Sequence, residues 1–336
     1  MFGTLFHCAR LSAITFMAVI EAWLRLARAF DRPRSRVPIQ RPEPRPPQAL
    51  RPVRLSVTRI ETLRRDPYSV YAESILKLKP LEAIGAAEGP REIGTRWHEA
   101  LRRFVEAFAS GALPPQARQR LTTIARDSFA PLFADPSFAA LNWPRIESAL
   151  DYYFEFEGER RAHANRILVE IGGALGLTLA DGSEFCLTAA ADRVDLFDDG
   201  AVRLVDYKTG AMPGVEEIKV GLAPQLTLEA AMLKRGGFRD APSATATSAL
   251  YLKLGGAKGG DRRDLAIFKD VVFDDMVERH FAGLLELLNQ FRDAQTPYLS
   301  RPAPKFAKSD GTYDHLARVK EWSATGGLVE SGGEGE

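Results

Sequence analysis

Cysteine is almost absent from this chain: its 336 residues include two, Cys8 and Cys186, far apart and in no Cys-x-x-Cys spacing. A disulfide framework, a cysteine-built zinc site and a four-thiolate iron–sulfur cluster are thereby excluded, and a reducing compartment is the simplest inference. Long apolar runs are also missing. Residues 11–20 are apolar, but the run is too short to span a bilayer and ends at Glu21. The stretch Val19-Ile20-Glu21-Ala22-Trp23 offers no small-residue cleavage site for a secretory leader. The expectation is a cytoplasmic protein with no membrane partner. Excess charge is lacking as well: Lys and Arg number 45 against 44 Asp and Glu, a formal net charge of +1. Any surface for a polyanion must therefore be local. No Gly-x-x-x-x-Gly-Lys-Ser/Thr occurs, which excludes a phosphate loop driving a motor.

What is present is unevenly distributed. Twelve arginines fall between Arg25 and Arg65, opposed by few acids, so this segment is either a phosphate-binding arm or a solvated basic linker. Residues 1–30 read as one N-terminal helical segment, residual or foreign to the rest of the chain. Residues 31–52 alternate arginine and proline without an apolar face, the pattern of a stiff extended linker. A domain occupies 53–322, and 323–336 form a Gly/Glu-rich disordered tail. Within the domain, Ser56 or Thr58 is a candidate N-cap, and residues 91–110 form a helix with Trp97, Leu101, Phe104, Val105 and Phe108 on one stripe. Residues 111–165 are helical sequence broken by prolines, a helical insertion beside a sheet. Short strands are expected at 167–171, 175–179, 185–196 and 202–207, punctuated by Gly172-Gly173, Asp181-Gly182 and Asp199-Gly200. A helix over 215–234, a strand at 249–254 and a helix over 274–292 complete an α/β core.

The chemistry concentrates in Ala191-Asp192-Arg193-Val194-Asp195 and Arg203-Leu204-Val205-Asp206-Tyr207-Lys208-Thr209-Gly210. Alternation along a strand puts Asp206 and Lys208 on one face with Tyr207 on the other. A turn at Asp199-Gly200 brings Asp192 beside Asp206 as a second carboxylate. Hydrolysis of a phosphodiester needs an activated water and neutralisation of charge on the phosphoryl oxygens. Divalent ions held by carboxylates supply both. Magnesium takes oxygen ligands, so Asp192, Asp206 and the backbone carbonyl of Tyr207 are candidates. Lys208 is a candidate fixed positive charge. An Asp-x-Lys alone also describes an edge-strand salt bridge, and an isolated helix histidine such as His98 is more often structural.

Taken in order, Gly94-x-x-x-His98, Asp192-Arg193-Val194-Asp195, Asp206-Tyr207-Lys208-Thr209-Gly210 and Gln225-Leu226 resemble the RecB-type branch of the PD-(D/E)XK nucleases. The similarity is closest to the C-terminal nuclease domain of AddB-type double-strand-break repair proteins, and runs from about Leu55 to the segment ending at Val319. It implies a restriction-endonuclease-like fold: a mixed central sheet flanked by helices. It further implies a Mg²⁺-dependent deoxyribonuclease of exonuclease type, with Mn²⁺ as an alternative, acting on DNA ends in recombinational repair beside an AddA-type helicase–nuclease subunit. His98, Asp192 and Asp206 are then metal ligands, and Lys208 assists catalysis. Gln225 lines the site, contacting DNA or positioning Lys208, and Arg96 and Arg193 are expected DNA contacts. Glu170 is either an auxiliary acid or a strand-edge cap. Asp195, of opposite parity to Asp192, is expected to pair with Arg193.

Three departures from the family pattern stand out. Glu229 occupies the place of a tyrosine found in many relatives four residues after the glutamine. Asp66 occupies the place of a cluster cysteine, so packing must replace the iron–sulfur staple between the ends of the domain. The helicase-like region that precedes the nuclease in AddB-type proteins has no counterpart here, so the chain is expected to be a stand-alone nuclease or a fragment. Rival readings are a non-catalytic DNA-binding scaffold, and a phage or Cas4-like exonuclease sharing the same site.

Overall fold

Two of the three glycine pairs in the β-rich region work as turns. Gly182 and Gly200 take φ of 77° and 82°, the left-handed region that glycine enters at little cost, and join three antiparallel strands: β2 (Ala164–Thr178), β3 (Glu184–Phe197) and β4 (Val202–Lys208). The computed structural model describes residues 3–31, 39–80, 89–161, 164–268, 271–302 and 311–323. The expected tail beyond residue 323 lies outside them, as do residues 32–38 of the Arg/Pro stretch.

The third pair, Gly172-Gly173, makes no turn. Sequence reading divides this region into two strands, whereas β2 runs through it unbroken. The reason is close approach. A Cβ on Gly173 would lie 2.6 Å from the Phe238 ring, and the neighbouring Ala174 amide donates to the Gly237 carbonyl at 2.8 Å. The helix expected over 215–234 is likewise two: α7 (Val215–Lys219) and α8 (Gln225–Lys234), separated where Gly221 adopts φ 73° and Pro224 precedes the second.

By contact the chain divides into two units. The first comprises Met1–Arg41 and Arg318–Glu336. It contains helix α1 (Gly3–Phe30), and the Arg41 guanidinium sits 5.5 Å over the Trp322 ring. No described helix is long and apolar enough to cross a membrane. The second unit, Pro42–Ala317, holds the sheet. It therefore includes the C-terminal half of the stretch expected to be linker.

Within this second unit the described strands form one mixed six-stranded sheet. Strand β2 covers one edge of β3 along its length, so β1 (Arg54–Ser56) and β4 share the other edge. Beyond β4 come β5 (Ser248–Leu254), parallel, and β6 (Gly260–Asp264), antiparallel. The sequence hides β6 because Gly-Asp-Arg-Arg-Asp is a charged edge strand with no apolar alternation. Helices α2 (Val57–Arg65), α8 and α9 (Phe273–Arg292) share a core with Leu187, Val194 and Leu204 on one face. On the other face α4 (Pro90–Ala107), α5 (Ala117–Ser128) and α6 (Trp143–Arg161) pack with Val205, Tyr207, Leu250 and Leu252. Helix α3 (Pro67–Val70) follows α2 after a break at Asp66, and its Val70 joins the first of these cores. Ser56 caps α2, its hydroxyl accepting from the Arg59 amide at 3.2 Å.

The ends of the second unit are joined by hydrogen bonds rather than by packing alone. Arg51, 3% exposed, donates to the carbonyls of Pro46, Phe291, Ala294 and Thr296 at 2.8–3.1 Å. Asp66 accepts from the Arg301 amide at 3.3 Å, and the Tyr68 amide donates to the Leu299 carbonyl at 3.1 Å. Asp66 thus contributes to this closure through its bond to Arg301. Removing the guanidinium strands four carbonyl groups, and Arg51→Ala is expected to cost about 2–4 kcal/mol in urea denaturation. A change below about 0.5 kcal/mol would show that Arg51 does not tie the ends together.

Candidate active site

The β3–β4 ladder stops at the pair Arg193 and Val205. The next facing residues are Asp192 and Asp206, and there the backbones part. The Tyr207 amide donates to Asp192 Oδ2 at 2.8 Å, so a side chain takes the bond a ladder carbonyl would accept. Strand β1 leaves the same edge of β3 at Thr188, so residues 189–192 have no ladder partner on that side. A pocket nearby is lined by Lys208 and Gln225 together with Arg65, Asp66 and Arg301.

Register gathers the acids into one row. Strands β2 and β3 pass from Val169 opposite Arg193 to Ile171 opposite Ala191, which leaves Glu170 facing Asp192. Facing residues of an antiparallel pair point to the same side of a sheet. Glu170 adopts φ 50° within its strand, uncommon for a non-glycine residue. From α4, His98 Nδ1 lies 3.3 Å from Asp192 Oδ1 and 3.4 Å from Glu170 Oε1. Ligand atoms of His98, Glu170 and Asp192 all fall within 4.8 Å of one another. Glu170 is thus drawn into the site, where the sequence left its role open.

Asp206, 2% exposed, sits beside this trio. Its Oδ1 accepts from Lys208 Nζ at 3.0 Å and from Gln225 Nε2 at 2.5 Å. Its Oδ2 is buried without a hydrogen bond of good geometry, although Lys208 Nζ is 2.8 Å away. Burial first, and the charge of Asp192 second, push the Asp206 carboxyl up to about 6, with Lys208 opposing. For Lys208, burial works against the charge but Asp206 outweighs it, so the amine is held above its ordinary range. It is an ammonium at neutral pH and acts as a fixed cation, not a base. Gln225, first residue of α8, bridges the pair: its Oε1 accepts from Lys208 Nζ at 3.0 Å.

These residues fit a divalent cation on two counts. The donors are carboxylate oxygens and one imidazole nitrogen, a set for hard or borderline metals. The crowded carboxylates and the orphaned Asp206 Oδ2 are groups that a cation would satisfy. Of Tyr207, the amide serves Asp192, while its ring lies on the opposite face, 6.0 Å from that of Tyr153.

The arginines fall elsewhere. Arg193 is fully buried on the face of Tyr207 and pairs with Glu157 and with Asp195, the latter at 2.5 Å. A DNA contact by Arg193 is therefore corrected: alternation that turns Asp192 toward His98 turns Arg193 into the core. Asp195 pairs with Arg193 and also accepts from Arg160 Nε at 2.7 Å. Glu157, which makes this burial tolerable, escapes sequence reading because it lies in a distant helix. Arg96, half-buried, donates to the Ser128 carbonyl at 3.1 Å. Glu229, read from sequence only as a missing tyrosine, hydrogen-bonds Gln225. Its signal was an acid inside the otherwise apolar run Leu226–Leu233 apart from Thr227.

The model of the PD-(D/E)XK nuclease superfamily matches residues 54–305. An uncharacterized protein of Rickettsia bellii is 33% identical over 185 residues, 55% of this chain and 22% of that protein. Uncharacterized protein RC0550 of Rickettsia conorii is 29% identical over 190 residues, 56% of this chain and 23% of its own length. The matched part thus spans less than a quarter of these relatives. Among solved structures, that of SSO0001 aligns with 70% of this chain and 76% of its own at 11% identity and a TM-score of 0.30.

The histidine gives the site a testable pH dependence. Burial alone would lower the His98 pKa, but hydrogen bonds and charge from Asp192 and Glu170 raise it to about 10. A raised cationic pKa stabilises the metal-free fold fully below the unfolded value near 6.5, and that stabilisation is lost as pH rises through about 10. A metal bound through His98 would have to displace the same proton, so its affinity would move the opposite way. Calorimetric titration with Mn²⁺ should show the dissociation constant falling by about tenfold or more between about pH 6 and about pH 9, and the dependence flattening in His98→Gln. An equal pH dependence in both proteins would remove His98 from the centre.

Proposed function

We propose that this chain, which belongs to the PD-(D/E)XK nuclease superfamily, is a divalent-metal-dependent deoxyribonuclease that trims DNA ends as an exonuclease. The observation that best supports this reading is the convergence of Asp192, Asp206 and Lys208 where the β3–β4 ladder breaks off, with Asp206 Oδ2 left unsatisfied. His98, Asp192 and Asp206, with Glu170 and the Tyr207 carbonyl, would hold the ion. Mg²⁺ is the expected metal, and an imidazole among carboxylates suits Mn²⁺ as well. When bound, the cation polarises a phosphoryl oxygen and lowers the pKa of a water enough for attack at neutral pH.

The chain's own groups do the rest. Lys208 keeps its proton and offers a fixed positive charge to the phosphoryl oxygens as negative charge grows on them. Gln225 holds Lys208 and Asp206 at their separation through opposite ends of one amide. Arg96, on the same helix as His98, is a candidate contact for the DNA backbone.

The finer reading is AddB-like: processing of double-strand breaks for recombinational repair, in the cytoplasm, beside an AddA-type helicase–nuclease subunit. The ordered motifs at His98, Asp192, Asp206–Lys208 and Gln225 support it.

Cleavage of a linear duplex labelled separately at each end tests the reaction. Wild type should release short products with Mg²⁺ or Mn²⁺ and none with EDTA. Asp206→Ala should abolish cutting, and Lys208→Ala should slow it by about 100-fold or more, with both variants folded. A folded wild type that binds the duplex without cutting it would instead favour a DNA-binding scaffold.

A further inference from the structure

Helix α8 is buried on every side from Leu226 to Leu233, a place for apolar side chains. It nevertheless carries a carboxyl at Glu229, 2% exposed. Burying that group beside a single neutral partner costs free energy that a leucine would not cost. Thr227, the other polar side chain in the run, is accounted for by the Pro224 carbonyl and His280. Among the described residues the hydrogen-bond partner of Glu229 is Gln225, one turn earlier: Gln225 Nε2 donates to Glu229 Oε1 at 3.2 Å.

The amide of Gln225 faces two ways. Its Nε2 also donates to Asp206 Oδ1, and its Oε1 accepts from Lys208 Nζ. A side-chain amide turns over at almost no steric cost. Turned over, it would aim NH₂ at the Lys208 ammonium and oxygen at the Asp206 carboxylate, replacing two attractions by two repulsions, and would give up the Nε2 donation to Glu229. Asp206 alone is an uncertain anchor for the nitrogen end, because its oxygens are the ones a cation would claim. Glu229 lies behind the site and keeps its acceptor oxygen whatever Asp206 does. Burial first, then the charges of Asp206 and Asp192, hold its carboxyl well above the usual range, so its neutral form resembles a glutamine side chain.

We propose that Glu229 is a positioning residue: by holding the Nε2 end of Gln225 it fixes the orientation of that amide and, through Oε1, the place of the Lys208 ammonium. The consequence for rate rests on the nuclease reading above, whereas the orientation of Gln225 does not.

Two readouts test it in the full-length chain. In metal-free protein, hydrogen exchange of the Gln225 side-chain NH₂ is followed by NMR. Wild type and Glu229→Gln should exchange alike, and Glu229→Leu should exchange about tenfold faster or more. In duplex cleavage, Glu229→Leu should lower kcat about tenfold with KM unchanged, Glu229→Gln should retain most of the rate, and the loss from Glu229→Leu should shrink to less than about twofold when Gln225 is already alanine. An equal loss in both backgrounds would mean a merely structural role, and unchanged exchange in Glu229→Leu would overturn the inference. Were wild type to cut nothing, the nuclease reading would fall while the exchange comparison still decided the role of Glu229.

Discussion

One hydrogen bond organises the site: the Tyr207 amide donating to the Asp192 carboxylate where β3 and β4 would otherwise continue their ladder. A sheet hydrogen bond satisfies backbone groups but leaves no room between strands. By giving the amide a side-chain acceptor, the chain ends the ladder without leaving a buried donor unpaired. The same bond orients Asp192, whose other oxygen faces His98 at 3.3 Å. The splaying of the strands and the aiming of Asp192 at His98 are therefore one event.

The underside of the same strands must be rigid for that event to be specific. There Arg193 is clamped between Glu157 and Asp195, with Arg160 on Asp195 and Arg161 on Glu157 at 2.6 Å. Buried ions are costly unless fully paired, and breaking one partner is more costly still. The arginines outweigh the burial that would raise both acids, so Glu157 and Asp195 are held below the ordinary carboxylate range. One face of β3 and β4 thus presents paired charges locked in the core. The other presents carboxylates whose counter-charges among the described residues are Lys208 and His98. Strand alternation decides which side chains take each face, Asp192 and Asp206 on one and Arg193, Asp195 and Tyr207 on the other, and Glu157 of α6 supplies the pairing on the second.

Much of this was legible in the sequence for a physical reason. Period-two alternation fixes which of Asp206, Tyr207 and Lys208 share a face, and Asp199-Gly200 fixes the antiparallel return, so the core of the site follows from local rules. Local rules fail where a residue answers to a distant partner. Gly172-Gly173 spells a turn but serves the approach of Phe238. Arg193 sits in a motif with candidate site residues but answers to Glu157, 36 residues away. Strand β6 lacks apolar alternation because its side chains are largely solvated. Glu229 reads as a lost tyrosine until the amide of Gln225 is seen to need a second acceptor.

The central claim is that Asp192, Asp206 and His98 surround a divalent cation at the break in the ladder. Its most direct test is an anomalous difference map from crystals of the wild-type chain soaked in Mn²⁺. The account predicts a peak at coordination distance from Asp192, Asp206 and His98, absent in crystals of Asp206→Ala soaked alike. A map with no peak there, or with one bound only elsewhere on the chain, would contradict it.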